Sequence, residues 1–366
     1  MARVDRETLL ANLATPTRLV IDARAPDRFE SQGESFFERL VVVKRIHPWL
    51  VEDPQSGEML REEARLGAVL QHPHVVHIED VSVSEREVCL IMPYVESLSL
   101  GALIKLLRQK GEPMPPPIAS RILLDVLSGL HAAHEAKDLR GERLEIVHRD
   151  VSPNNILVGT EGQSRIIDFG IARAKSRLLQ TQNGDMKGTI AYMSPEQLRR
   201  RELDCRADIF AAGAVLYEIL AGERLFDGRD EADILIGVLA DEIPSLYERR
   251  PDVGADIDAV LARALARERD ERHATARAFA MALEAALPPA SAADVATFVH
   301  RFGESEFNRR RKAIRDFVEK RRNDASSSGI RSTSMTAARS TPIPAPKKEF
   351  RSAVLVGIVL TVGILL

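Results

Sequence analysis

The 366-residue chain reads as an α+β protein, and three stretches carry that reading. Leu40-Val41-Val42-Val43-Lys44 is an apolar, β-branched run of the kind that forms a buried strand. Met59 to Leu70 places apolar residues at 59, 60, 66, 69 and 70, a helical spacing that ends at Gln71-His72-Pro73, where proline stops the helix. Further on, His148-Arg149-Asp150-Val151-Ser152-Pro153-Asn154-Asn155-Ile156-Leu157 is followed, thirteen residues past Asn155, by Asp168-Phe169-Gly170.

The last stretch carries the chemistry. It sets two carboxylates and a carboxamide where a phosphoryl transfer needs them. Asp150 can orient a hydroxyl nucleophile and accept its proton. Asp168, with the amide oxygen of Asn155, can hold magnesium against nucleotide phosphates. A lone His-Arg-Asp is a weak signal, because chance produces it often. The same tripeptide with Asn five residues after the Asp, and then Asp-Phe-Gly at this distance, is a strong one. The bland alternative, a polar loop followed by a buried strand, is the weaker reading.

On these residues the chain resembles the protein kinase superfamily, specifically the eukaryotic-like serine/threonine kinases of bacteria, from about residue 9 to about residue 287. The resemblance implies a two-lobed protein kinase fold. Its small lobe, about 9–92, is mainly antiparallel sheet plus one helix; its large lobe, about 93–287, is mainly helical. It implies ATP and Mg2+ as cofactors, with Lys44, Asn155 and Asp168 binding the nucleotide and its metal. Lys44 would grip the α- and β-phosphates, and Glu63 would hold Lys44 extended. Glu62 is the alternative partner, and both glutamates also fit solvated positions on an amphipathic helix.

Downstream, Lys187 to Glu196 resembles the end of an activation segment, with Ser194-Pro195-Glu196 where the family usually has Ala-Pro-Glu. The resemblance pairs Glu196 with Arg272 and has Asp208 receive the backbone of the catalytic loop from a buried helix. Thr189 stands where serine/threonine kinases keep a threonine that contacts the catalytic Asp, which favours hydroxyl-amino-acid substrates over tyrosine. Arg149 would hold a phosphate on the activation segment, with Ser176 and Thr181 as candidate sites and Thr181 preferred.

Two departures bear on activity. The stretch from Leu9 to Val20 stands where the family has its glycine-rich loop, yet no glycine precedes Gly33 and Pro16 has no N–H to donate. Weaker nucleotide affinity is expected. Ser152 replaces the lysine that most serine/threonine kinases carry two residues after the catalytic Asp, so a hydrogen bond is offered there and a charge is not. Some bacterial kinases share this His-Arg-Asp-Val-Ser-Pro run. His72, His74 and His77 lack a nearby fourth ligand, and kinases carry a His-Pro turn here, so no metal is expected on them.

Composition limits the other possibilities. The two cysteines, Cys89 and Cys205, sit in apolar or helical surroundings and point to a reducing compartment without disulfides. The start of the chain, Met1 to Glu7, is charged and lacks a following long apolar run, so no secretion signal is expected. Residues 288–322 read as a basic helical juxtamembrane segment, and 323–352, rich in Ser, Thr, Ala and Pro, as a disordered linker. Residues 301–352 hold 14 Lys or Arg against 6 Asp or Glu, in a chain whose net charge is −3. Residues 353–366 carry no charge and are expected to form an apolar helix inserted in a membrane. Such a helix spans about 21 Å against a hydrocarbon core of about 30 Å, which is short for a full crossing. Lys347, Lys348 and Arg351 would keep the preceding side cytoplasmic.

The expected function is therefore transfer of the ATP γ-phosphoryl group to serine or threonine hydroxyls of proteins, in bacterial signal transduction. The kinase domain would lie in the cytoplasm and be anchored to a membrane, and a homodimer would serve autophosphorylation. The alternative is a pseudokinase scaffold that binds partners without efficient transfer. No nucleic-acid partner is expected, because the basic run at Arg309 borders the apolar end.

Overall fold

Apolar strands come first along the chain and helices dominate after them, and a short link joins the two groups. The computed structural model describes residues 17–22, 39–45, 70–83, 88–138, 140–169, 189–327 and 357–360. Strands β1 (Thr17–Asp22), β2 (Arg39–Arg45), β3 (Asp80–Val83) and β4 (Val88–Pro93) pair antiparallel in the order β3-β4-β2-β1. Alternation along β2 and β4 turns Val41 and Ile91 inward, 2% and 1% exposed, with Val43 packed beside them. The register sets Lys44 opposite Leu90, at the end of the β-branched run.

Residues 94–96 lead from β4 into a second, three-stranded sheet: β5 (Ser97–Ser99), β6 (Ile156–Gly159) and β7 (Ser164–Ile166), all antiparallel. Nine helices among the described residues follow or surround it. The first are α1 (Leu100–Lys110), α2 (Pro116–His134) and α3 (Pro195–Leu198). Then come α4 (Arg206–Ala221), α5 (Glu231–Ala240), α6 (Leu246–Arg249), α7 (Asp256–Ala264), α8 (Ala276–Ala286) and α9 (Ala292–Ser327). Local chemistry sets the ends of α1: the Ser99 hydroxyl accepts from Ala102 N at 3.2 Å, and Gly111 takes a left-handed φ of 66°. Helix α4 is apolar nearly all round and lies in the middle of the large lobe, packed on α2, α7 and α8. Each fully buried leucine or isoleucine of this core contributes roughly 1.5–3 kcal/mol.

Two expectations about the C-terminal part change. The segment 288–322 does not stand apart from the large lobe: α9 buries Val295, Phe298, Val299, Phe302 and Phe307 in its core. An aromatic or aliphatic residue every three to four positions gives this basic helix an apolar stripe that needs covering. The helix also runs on to Ser327, so the start of the expected linker is helical.

The apolar end is the second correction. Where a helix is expected, Gly357–Leu360 form β8, an antiparallel strand on the free edge of β1, with Ile21 opposite Ile358 and Val20 opposite Val359. Ile358 and Val359 are β-branched, and the edge of β1 offers unpaired N–H and C=O groups, so pairing satisfies both. The other residues of 353–366 lie outside the described ones. So do Glu62 and Glu63 with most of the expected helix over 59–70, residues 9–16 of the expected phosphate loop, and Ser176 and Thr181.

Candidate active site

The pairing of β6 with β7 explains the spacing of the sequence motifs. Ile156 lies opposite Ile166, and Ile167 N donates to the Asn155 carbonyl at 3.0 Å. Asn155, at the start of the hairpin, is thereby set beside Ile167 and Asp168 at its end. The side-chain amide of Asn155 donates to the Asp150 carbonyl at 2.7 Å and to its Oδ2 at 2.9 Å. With both N–H groups turned toward Asp150, the amide oxygen of Asn155 is left for a cation. From the small lobe, Lys44 Nζ reaches Asp168 Oδ1 at 2.7 Å.

The loop carrying Asp150 hangs from Asp208, in the first turn of α4. His148 N and Arg149 N each donate to this carboxylate at 2.8 Å, and His134 Nε2 shares it, also at 2.8 Å. Burial opposes the charge of Asp208, yet the bond from His134 and the two backbone donors outweigh it and hold the carboxyl below its usual range. His148 is fully buried, and burial pushes its pKa down against the pull of Asp208 and Asp150. Its two contacts agree with a neutral ring protonated at Nε2. Asp150 N donates to Nδ1 at 3.3 Å, and Nε2 faces the Ile167 carbonyl at 3.0 Å. The ring also packs against Phe169, with centroids 4.7 Å apart.

Backbone strain is concentrated at the same place. Arg149 has φ 67° and Asp168 φ 61°, two of the four described non-glycine residues with positive φ. Each costs about 1–3 kcal/mol, held in place by the bonds around it.

A second anchor comes from the far side. Glu196 and Arg272 form a two-pronged ion pair at 2.7 and 2.8 Å, with Arg272 fully buried beneath it. Burial works against the Glu196 charge, and Arg272 more than compensates, so the Glu196 carboxyl titrates below its ordinary range. The remaining guanidinium donors reach the carbonyls of Ala266, Arg206 and Arg267, and the group lies 5.0 Å from the Phe210 ring. Gln197, next to Glu196, donates its amide to the Arg149 carbonyl at 2.8 Å and so ties this turn to the catalytic loop. Thr189 is half-buried, and its carbonyl accepts from Tyr192 N at 3.2 Å. Ser152 is buried, and its carbonyl accepts from Asn155 N at 3.0 Å.

His74 is spent on structure: its Nδ1 meets the Ser164 carbonyl at 2.9 Å, while its backbone N–H donates to His72 Nδ1. Together with the Val75–Ile166 bridge, this docks the turn after Leu70 onto β7. An open cavity of about 800 Å³ lies behind residues 93–96, bordered by His72 and Arg165, and contains none of the candidate catalytic residues.

His134 and Gln197 are the anchors that the sequence motifs do not mark. A histidine in the last turn of an apolar helix carries no local sign of its partner, which is 74 residues away.

Comparison with known proteins accords with this geometry. Residues 35–283 match the protein kinase domain family. Tyrosine-protein kinase MasK of Myxococcus xanthus is 40% identical over 283 residues, covering 76% of this chain and 44% of that protein. Serine/threonine-protein kinase PknE of Mycobacterium tuberculosis is 34% identical over 273 residues, covering 75% and 46%. The chain thus spans less than half the length of these two relatives. The crystal structure of the Mycobacterium tuberculosis PknI kinase domain superposes with a TM-score of 0.52 at 25% identity, covering 68% of this chain and 86% of that one.

Proposed function

The chain belongs to the protein kinase family, and from that premise we propose that it transfers the γ-phosphoryl group of ATP to serine and threonine hydroxyls of proteins in bacterial signalling. The observation that carries this is the Asn155 side chain: its amide N–H groups bind Asp150, and its backbone pairs with the strand that delivers Asp168. A scaffold without catalysis has no need of these groups in register.

The donor set fits magnesium and nucleotide. The cation takes one or two protein oxygens and completes its shell with water and phosphate, which suits the Asp168 carboxylate and the Asn155 amide oxygen. Bound ATP with Mg2+ supplies the phosphoryl group and neutralises the charge that develops on it. Asp150 receives the substrate hydroxyl at its carboxylate, orients the oxygen and accepts the proton as the new bond forms. Asn155 keeps the Asp150 carboxylate from rotating away. Lys44, held 2.7 Å from Asp168, would meet the nucleotide phosphates beside the residues that would hold the metal. Ser152 offers a hydroxyl but no charge, so less stabilisation of the transferring group comes from this loop.

Preference for serine and threonine rests on Thr189 and on the relatives named as serine/threonine kinases; MasK carries the name of a tyrosine kinase. Phosphoamino-acid analysis after incubation with labelled ATP and magnesium tests both points. Phosphoserine or phosphothreonine is expected with the full chain and none with Asp150→Asn. Phosphotyrosine alone would reverse the preference, and equal signal from both proteins would leave a scaffold.

Membrane attachment through 353–366, with the kinase domain on the cytoplasmic side, is proposed on the apolar composition of that segment. Pairing of Gly357–Leu360 with β1 competes with it, since one stretch cannot occupy both places. Among the described residues no helix is long and apolar enough to cross a membrane.

A further inference from the structure

Residues 94–96 connect β4 of the five-stranded sheet to β5 of the large lobe, and they form a hinge between the two groups. Helix α9, which lies beyond the residues matched by the kinase family, runs directly onto this hinge. Its approach is fixed by packing. Phe307 is 1% exposed, and a side chain on Gly303 would collide with the Phe307 ring and come within 3.0 Å of Leu98 in β5. One turn later the helix presents Arg310 and Arg311.

Both arginines bind at this link, Arg311 to Glu96 within the hinge and Arg310 to Ser97 at its large-lobe end. Arg311 grips the Glu96 carboxylate with two donors, at 2.6 and 2.5 Å. Arg310 is 14% exposed; it donates to the Ser97 carbonyl at 2.9 Å while Glu306 holds its other side at 2.7 Å. The Tyr94 hydroxyl, buried and without a regular hydrogen-bond partner, lies beside the same guanidinium, whose charge opposes the upward push that burial gives its pKa. The Glu96 carbonyl in turn accepts from Thr160 N at 2.9 Å, so the hinge is held from the helix and from the β6–β7 turn. The basic run therefore has a use inside the molecule: Arg309, Arg310 and Arg311 each meet a carboxylate.

We propose that Arg310 and Arg311 are positioning residues: α9 clamps the hinge and thereby sets how Lys44 of the small lobe meets Asp168 of the large lobe. The proposal rests on the kinase reading above. Asp150, Asn155 and Asp168 all belong to the large lobe with α9, whereas Lys44 sits on β2 across the hinge. Loosening the clamp should thus weaken the grip on nucleotide and leave the acceptor chemistry largely intact.

The test uses the full chain with Arg311→Glu, Glu96→Arg, the two together, and Arg309→Ala as control, since Arg309 is 63% exposed and its ion pair among the described residues is with Glu306 of its own helix. KM for ATP, kcat, melting temperature and amide hydrogen exchange across residues 93–98 are measured for each. Either single variant should raise KM for ATP about three- to ten-fold, inside the roughly two- to thirty-fold range expected for a residue that couples two sites. The same variants should keep kcat within about two-fold and speed exchange across 93–98, and the control should match wild type. The exchanged pair should return KM to within about two-fold of wild type. Single variants with unaltered KM, or an exchanged pair no better than either single, would overturn the clamp. So would a fall in kcat that only follows a lower melting temperature. Wild-type protein that transfers no phosphoryl group defeats the functional reading alone, and the exchange rates across 93–98 then decide the clamp.

Discussion

Asp208→Asn separates positioning of the catalytic loop from its chemistry, because Asp208 touches no reacting atom. Its carboxylate accepts three hydrogen bonds, from His148 N, Arg149 N and His134 Nε2, at 1% exposure. An asparagine has one accepting oxygen, so its NH2 group must face at least one backbone N–H. A buried donor left without a partner costs about 1–3 kcal/mol, and a bond to a charged group is worth about 1.5–3. A loss of about 3 kcal/mol follows, which lowers the melting temperature of a domain this size by about 6–12 °C. The surviving folded protein should lose about ten- to a hundred-fold in kcat, because small displacements of positioned groups are costly. The pH dependence adds a check. Asp208 titrates lower in the folded chain than in the unfolded one, so its contribution is full at neutral pH and is lost as pH falls below about 4. His148, buried and neutral, acts earlier: its lowered pKa means that stability falls as pH drops below about 6.5. Calorimetric melting from pH 7 to pH 3, with steady-state kinetics at neutral pH, reads all of these. An Asn variant that melts with wild type and keeps its kcat would refute the suspension of the loop from α4.

Glu196→Gln leaves the buried Arg272 guanidinium without its counter-charge and should destabilise the chain by about 3–5 kcal/mol, read by urea unfolding. The variant should also lose part of the stability decrease that wild type shows as pH falls below about 4, because the folded Glu196 pKa lies below the unfolded one. Deleting 353–366 should release the protein from the membrane fraction with phosphoryl transfer retained; full-length protein already soluble at moderate salt would remove the attachment and leave β8 as the fate of this segment.

The catalytic loop was legible in the sequence because its spacing is the footprint of a hairpin. Asn155 and Asp168 must flank two paired strands, and a fixed number of residues does that. Lys44 was legible as the end of a β-branched run, and Glu196 with Arg272 through resemblance. What stayed hidden depends on partners that lie far away along the chain. His134 gives no local sign of Asp208, nor Gln197 of the Arg149 carbonyl. The run at Arg309 reads as part of a basic juxtamembrane segment because charge density is visible in sequence, whereas Glu96, the partner of Arg311, is 215 residues distant. Gly357–Leu360 reads as helix on apolarity, which does not by itself separate a short helix from a strand, and the open edge on β1 takes it as a strand.

The distribution of anchors across the lobes has its own consequence. Asp208, Gln197 and the Glu196–Arg272 pair all fasten the catalytic loop to the large lobe, whose core is continuous from α1 to α9. Lys44 arrives from a small sheet in which Val41, Leu90, Ile91 and Met92 are buried, and it meets Asp168 where both side chains are still partly open to water. A contact of that kind is worth about 1 kcal/mol or less, too little to fix the lobes by itself. Other contacts therefore bridge the lobes as well: Leu70 and Val75 pack with Ala133, Ile146 and Phe169, His74 meets the Ser164 carbonyl, Val75 bridges Ile166, and Arg311 grips Glu96 in the link. Signals that act on α9 or on the hinge therefore have more leverage over nucleotide binding than signals that act on the catalytic loop.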